Sequence, residues 1–187
     1  GIGEMDRVLG GGIVAGSLVL LSGEPGIGKS TLAAMIGSSF GSERPILYAS
    51  GEESAPQLSG RLKRLGIDLA CVSYVGSTSV ERVAKTIEKE APPLAIVDSV
   101  QTLTSCELDS AAGGTTLVRY ATNILLETAK RTGVPILLGG QVTKDGSIAG
   151  PKTLEHLVDV VLILDGHSGH MTRLLRAGKN RFGSTEE

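Results

Sequence analysis

Two kinds of apolar pattern alternate along the chain. Short, mostly apolar runs recur, most of them closing on Gly, Ser or Asp: "SLVLLSG" (17–23), "PILYAS" (45–50), "CVSYV" (71–75), "LAIVDSV" (94–100) and "PILLGG" (135–140). Runs of this length predict strands buried on both faces, as in a parallel sheet. Between them lie longer segments with helical spacing. "KSTLAAMIGSSF" follows the first run. "SAPQLSGRLKRLG" places Leu58, Leu62 and Leu65 at i, i+4 and i+7, with Gly66 as its stop. "SVERVAKTIEKE" puts Val80, Val83, Ala84 and Ile87 on one face, and "LVRYATNILLETAKRTG" predicts a fourth helix. A brief helix is expected at "LEHLVD". After it, "VVLILDGHSGHMTRLLRAGKNR" predicts two strands joined by a tight turn around Gly166–Gly169. The order is β-α-β-α-β-α-β-α-β and then a hairpin. It predicts a single α/β domain over 1–187, with a mostly parallel central sheet flanked by helices and a C-terminal antiparallel hairpin.

Composition supports this layered fold: 41 % of residues are apolar but only 3 % aromatic. Gly is abundant, 26 of 187, which fits loops whose backbone approaches a ligand closely. Eighteen Lys and Arg against twenty Asp and Glu leave a net charge of −2. Any contact with nucleic acid must therefore come from local loops or from repeated copies. Cys71 and Cys106 form no CxxC pair, so a structural zinc site is not expected, and two lone cysteines fit a reducing compartment. With no secretory signal and no apolar run of about 18 residues, the expectation is no membrane partner and a cytoplasmic location, or an organellar one in a eukaryote. The abrupt ends at Gly1 and "STEE" read as those of a fragment.

"GEPGIGKS" carries the clearest chemistry. It matches G-x-x-x-x-G-K-[ST] in full and sits between a predicted strand and a helix. Its glycines let backbone N–H groups curl around phosphates, Lys29 supplies a point charge, and Ser30 can ligate Mg²⁺. The expected nucleotide-binding residues are Gly23, Glu24, Pro25, Gly26, Ile27, Gly28, Lys29, Ser30 and Thr31, together with Asp98. ATP or ADP with Mg²⁺ is the expected ligand. Asp98 ends the strongest apolar run, the Walker-B arrangement, which would bring its carboxylate to the sheet's carboxyl edge beside the phosphate loop; Ser30 and Asp98 are the expected metal-binding pair. Glu52 and Glu53 follow the second strand as candidates to orient the attacking water, with Glu52 placed ahead of Glu53 and no feature of the sequence that decides between them. Gln141, ending "PILLGG", is a candidate γ-phosphate contact on the same edge.

Taken together, "GGGIVAGSLVLLSGEPGIGKSTL", "LYASGEES", "IVDSVQT", "VTKDGSIAGPKTLEHLVD" and "LRAGKNRFGSTEE" resemble the RecA-like P-loop NTPase core of the bacterial RadA (Sms) family of DNA-repair proteins. The resemblance runs from Gly1 to Glu187. It implies a DNA-dependent ATPase that forms hexameric rings on single-stranded DNA and acts as a helicase-type branch-migration motor in recombinational repair, with the recombinase RecA as a partner. Family members usually carry an N-terminal four-Cys zinc module and a C-terminal Lon-protease-like domain. Neither is in this sequence, so an isolated ATPase core is expected. The family typically has His where this chain has Gln141, and the expected γ-phosphate role then loses its pH sensitivity.

In such rings the loops after the catalytic strands face DNA. The loop 102–116 has no Lys or Arg. The loop 142–153 carries Lys144 and Lys152 with Gly146, Ser147 and Gly150, so Lys144, Gly146, Ser147 and Lys152 are the expected DNA-binding residues, with phosphate-directed, salt-sensitive contacts. Lys179 and Arg181 lie on one side by strand alternation. The resemblance implies that they reach a neighbouring subunit's γ-phosphate in trans, where transition-state charge is stabilised. Two other readings compete: a KaiC-like signalling ATPase acting through protein partners, and a nucleotide-gated assembly module that scarcely turns over.

Overall fold

The structure is a computed structural model that describes residues 3–41, 43–141, 154–166, 172–183 and 185. Its elements in chain order are α1 (Gly3–Leu9), β1 (Leu18–Gly23), α2 (Lys29–Phe40), β2 (Ile46–Ser50), α3 (Ala55–Arg64), β3 (Val72–Val75), α4 (Val80–Glu90), β4 (Ala95–Asp98), α5 (Thr115–Thr132), β5 (Ile136–Gln141), β6 (Val160–Gly166) and β7 (Arg173–Asn180). Every strand and the four main helices stand where the apolar pattern predicts them. The short α1 and two single 3₁₀ turns, Leu69–Cys71 and Val100–Thr102, have no such pattern. At "LEHLVD" there is one helical turn, closed by Val158 N–H on the Leu154 carbonyl at 3.1 Å.

The strands form one seven-stranded sheet in the order β3-β2-β4-β5-β1-β6-β7, parallel except for the antiparallel β6–β7 pair. Because side chains alternate across a strand, each central strand feeds two cores. Leu18, Leu20, Leu47, Ala49, Ala95, Val97, Ile136 and Leu138 pack on one face, against Val80, Val83 and Ile87 of α4 and Val118, Ala121 and Leu125 of α5. Val19, Leu21, Ile46, Tyr48, Ile96 and Leu137 pack on the other, against Ala33 and Ile36 of α2 and Leu58 and Leu62 of α3. A run that is apolar at every position is thus what a sheet covered on both faces requires. The helices stop as their sequences dictate: Gly66 and Gly133 adopt positive φ just beyond α3 and α5. Ser54 and Gln57 form a capping box at the start of α3.

The order of strands sets the geometry of the site. Asp98 at the end of β4 does not adjoin β1, because β5 lies between them: Ser50 pairs with Asp98, and Gly23 with Gln141. The carboxyl edge therefore presents, side by side, the ends of β2, β4, β5 and β1.

The hairpin is anchored at the opposite edge. Asp159 is 2 % exposed, accepts from the Leu18 amide at 3.0 Å, and pairs with Lys130 at 2.8 Å and Arg181 at 3.2 Å. Burial alone would raise its carboxyl pKa. The Lys130 and Leu18 hydrogen bonds and the two cations outweigh burial and hold it below the usual Asp value. A depressed folded-state pKa means the stabilisation is complete above the ordinary Asp value and is lost as pH falls through the lowered one. Asp159→Asn is expected to cost about 1–3 kcal/mol at neutral pH. It should also flatten the loss of stability below about pH 4, as read by urea titrations across that range.

Candidate nucleotide site

β1 ends at Gly23 and α2 begins at Lys29, so the predicted phosphate loop spans a strand end and a helix start. Gly26 and Gly28 have φ of +76° and +110°, conformations costly for any residue with a Cβ. Gly23 meets a different constraint: a Cβ there would lie 2.6 Å from the Leu164 carbonyl of β6. Ile27 turns away from the loop's open side and packs against the core shared by α2 and α3. The helix N-terminus directs unpaired N–H groups and a partial positive charge toward the loop.

A cavity of about 430 Å³ opens against the loop. Pro25, Gly26, Gly28, Lys29, Ser30 and Thr31 form one wall, and Glu52, Asp98, Ser99 and Gln141 the other. These ten residues come from β1–α2, β2, β4 and β5, and the topology alone brings them together. Lys29 is buried, and its ammonium donates to the carbonyls of Gly23 at 3.0 Å and Glu24 at 2.9 Å. Burial pulls its pKa down, while Asp98 and Glu52 work against that shift. Asp98 is 5 % exposed and takes a hydrogen bond from the Tyr48 hydroxyl at 2.9 Å. It reaches across β5 because Gly139 has no side chain: a Cβ there would stand 2.9 Å from Asp98 Oδ1. The glycine pair in "PILLGG" is in this way part of the site.

The two glutamates separate. Glu52 faces the cavity, and its Oε1 accepts from Ser99 Oγ at 2.6 Å and from Gln141 Nε2 at 3.1 Å. Glu53 does not line the cavity. It is ion-paired with Arg61 of α3, and its backbone carbonyl accepts from the Tyr74 hydroxyl at 2.7 Å. Ser50 Oγ accepts from both of their backbone N–H groups, fixing the turn that splits them. Ser30 and Asp98 offer hydroxyl and carboxylate oxygens, the hard donors suited to Mg²⁺, which needs only one or two protein oxygens beside a nucleotide's phosphates.

Lys179 and Arg181 are not part of this cavity. β7 runs antiparallel, so Asn180 pairs with Val160 at the start of β6, and the pair ends at the opposite edge of the sheet. Both cations do lie on one side, as alternation predicts: Lys179 donates to the carbonyls of Glu155 and Val158, and Arg181 to Asp159 and the His156 carbonyl. Burial and the neighbouring Arg181 lower the Lys179 pKa. Phe182 remains 46 % exposed, with the Lys130 ammonium 5.8 Å from its ring centroid. Lys144, Gly146, Ser147 and Lys152, expected to bind DNA, lie outside the described residues.

Sequence reasoning missed four residues at or behind the site. Ser99 and Tyr48 looked like ordinary strand-end and strand positions. Arg61 stood in the basic run "RLKR", which reads as a solvated helix face. Arg173, at the start of β7, brings its guanidinium against the phosphate loop: Nη1 would be 2.6 Å from a Cβ added at Gly28. No motif ties that residue to the loop, because the hairpin places it there.

Two substitutions test this geometry. Gly28→Ala forces a Cβ into a left-handed conformation and into Arg173. Gly139→Ala pushes on the Asp98 carboxylate from β5. Each should lower affinity for a fluorescent ATP analogue by about tenfold or more, a loss of at least about 1.4 kcal/mol. The Gly139→Ala loss should appear chiefly when Mg²⁺ is present.

Comparison with known proteins bears out the fold and the resemblance. Residues 1–91 match the family described as "ATPase: KaiC". The DNA repair protein RadA of Bacillus subtilis is 48 % identical over 187 residues, all of this chain and 41 % of that protein. RadA of Aquifex aeolicus is 46 % identical over 187 residues, again the whole chain and 42 % of the relative. RadA of Mycobacterium tuberculosis is 48 % identical over 190 residues, covering all of this chain and 40 % of that protein. The chain thus spans about four tenths of the length of these curated relatives. Among solved structures, a KaiC-like protein, PH0186 of Pyrococcus horikoshii, superposes with a TM-score of 0.73 at 20 % identity, over 95 % of this chain and 85 % of that one. The fold is therefore the RecA-like one of the KaiC type, and along its whole length the sequence is that of a relative of the bacterial DNA repair protein RadA.

Proposed function

We propose that the chain is the ATP-hydrolysing core of a DNA-repair motor of the RadA kind, working as a ring on single-stranded DNA in the cytoplasm and acting with a RecA-type recombinase on recombination intermediates. The observation that carries the reading is the convergence of Lys29, Ser30, Asp98, Glu52 and Gln141 on one cavity. ATP's β- and γ-phosphates would lie on the loop's N–H groups and Lys29. Mg²⁺, held by Ser30 and Asp98, would supply charge neutralisation between those phosphates. Glu52 is the water-orienting carboxylate in this reading: it lines the cavity, whereas Glu53 is committed to Arg61. Gln141 bonds Glu52 through its side chain, while its own carbonyl accepts from Gln101 Nε2 at 3.3 Å. A γ-phosphate that drew the Gln141 amide away would shift the strand end leading into the loop 142–153. Through Lys144, Gly146, Ser147 and Lys152 that loop would contact DNA phosphates.

Lys179 and Arg181 suit action on a neighbour's nucleotide, because within one chain they end at the edge remote from the loop. Homo-hexameric assembly is the arrangement that would give them a substrate. A KaiC-like signalling ATPase is the second reading, favoured by the family match and by the solved neighbour. It predicts hydrolysis that does not respond to DNA.

Turnover measured with and without single-stranded DNA separates these readings; stimulation supports the motor, and its absence the signalling alternative. Glu52→Gln should lower kcat by about 10²–10⁴-fold with ATP binding retained, and Glu53→Gln should lower it far less. Lys144→Ala should weaken salt-dependent DNA binding without altering ATP affinity. Lys179→Ala or Arg181→Ala should cut hydrolysis much more than binding. Activity should partly return when either is mixed with Lys29→Ala subunits; failure of rescue would place both cations in their own subunit's structure.

A further inference from the structure

Behind the cavity a chain of buried polar groups joins Asp98 to helix α3. Tyr48 is fully buried in the middle of β2, and its hydroxyl lies 2.9 Å from Asp98 Oδ2. Arg61 Nη2 donates to the same phenol oxygen at 3.0 Å and pairs with Glu53. The guanidinium carbon sits 5.6 Å from the Tyr48 ring centroid. Arg61 is 8 % exposed, and its Nε and Nη1 have no hydrogen-bond partner among the described residues. Leaving guanidinium donors buried and unpaired is costly. As packing alone the arrangement is poor, since an apolar pair would fill the same space without that cost.

Proton bookkeeping gives the cluster a direction. A guanidinium can only donate, so Arg61 occupies a lone pair of the phenol oxygen. The single phenolic hydrogen is then left for Asp98. A phenol is a neutral donor at neutral pH. Asp98 is thereby held by one oxygen from the β2 side. Its other oxygen, Oδ1, lies over Gly139 of β5, and Asp98 lines the cavity that opens on the phosphate loop.

We propose that Tyr48, oriented by Arg61, is a positioning residue for Asp98: it fixes Oδ2 so that Oδ1 is presented to the divalent cation of a bound nucleotide, with Glu53 serving as the counter-ion of Arg61. The inference rests on the reading of Asp98 as a Mg²⁺ ligand and names the residues that tune it. It also accounts for two adjacent glutamates with different duties, one facing the nucleotide and one securing the arginine behind it.

The test uses Tyr48→Phe, which removes one oxygen from the core, and Arg61→Lys, which keeps the charge but loses the fork. Thermal melting establishes that each is folded. Nucleotide binding is titrated in chelator and then with increasing Mn²⁺, whose paramagnetic signal reports the bound cation directly. Tyr48→Phe should raise the Mn²⁺ concentration for half-saturation of the ADP complex by about tenfold, as loss of a group that orients a ligand does, and leave cation-free ADP affinity within about twofold. Arg61→Lys should shift Mn²⁺ in the same direction by less. Unchanged Mn²⁺ affinity in both variants overturns the proposal. An equal fall in cation-free affinity also overturns it, since that marks general damage to the pocket. If the unmodified protein binds ADP without any Mn²⁺ dependence, it is the role of Asp98 itself that fails, a result separable from the other two.

Discussion

A carboxylate with 5 % exposure needs partners for its oxygens, and the architecture of this domain is organised around meeting that requirement at Asp98. Three elements contribute. β2 supplies the Tyr48 hydroxyl from one side. β5 supplies a gap at Gly139, without which Oδ1 would collide with a side chain. Lys29, across the cavity, contributes opposite charge at longer range. Each contribution depends on the insertion of β4 and β5 between β2 and β1. Had β4 lain directly beside β1, neither the glycine gap nor the Gln141 contact to Glu52 would have a place.

The same topology separates two electrostatic systems. At the carboxyl edge, acids at the ends of β2 and β4 and Lys29 at the start of α2 face a cavity open to a ligand. At the other edge, Asp159 collects the Leu18 amide, Lys130 and Arg181 and ties the sheet centre to α5 and to the end of the hairpin. Within one chain this second system lies away from the nucleotide cavity and, through Asp159, supports the fold. The reversal of chain direction at β7 decides which residues join which system. It carries Arg173 to the phosphate loop and Lys179 to the far side, though the two are six residues apart in one strand.

Much of the fold was legible because it rests on local rules. Apolar runs that end in Gly or Asp, helices spaced at three and four, and glycines just past helix ends each fix an element without reference to the others. The phosphate loop was legible for the same reason, since its strand, glycines, lysine and helix are contiguous. Strand order was not, and everything that depends on strand order was hidden with it. The sequence favours Glu52 over Glu53 without a deciding feature, because only the position of α3 decides that Arg61 faces Glu53. Arg61 itself is indistinguishable in the sequence from Lys63 and Arg64, its neighbours in a basic helical stretch; the side of the helix that packs on Tyr48 makes one buried and the others exposed.

That difference bears on how the site can change through a catalytic cycle. Glu52 and Gln141 are joined by a single hydrogen bond at the cavity's rim, between groups that water can reach, and exchange of such a bond for one to a phosphate costs little. Asp98, Tyr48 and Arg61 are joined in the interior, where breaking a link leaves a buried polar group without a partner, and half-buried Glu53 closes the chain on Arg61. On the proposed function, the rim would respond to the nucleotide while the interior holds Asp98 still. A site that is to contact a γ-phosphate and keep a metal ligand in place, as proposed, would need both behaviours. In this fold they are separated by depth, the exchangeable bond at the surface and the enclosed ones beneath it.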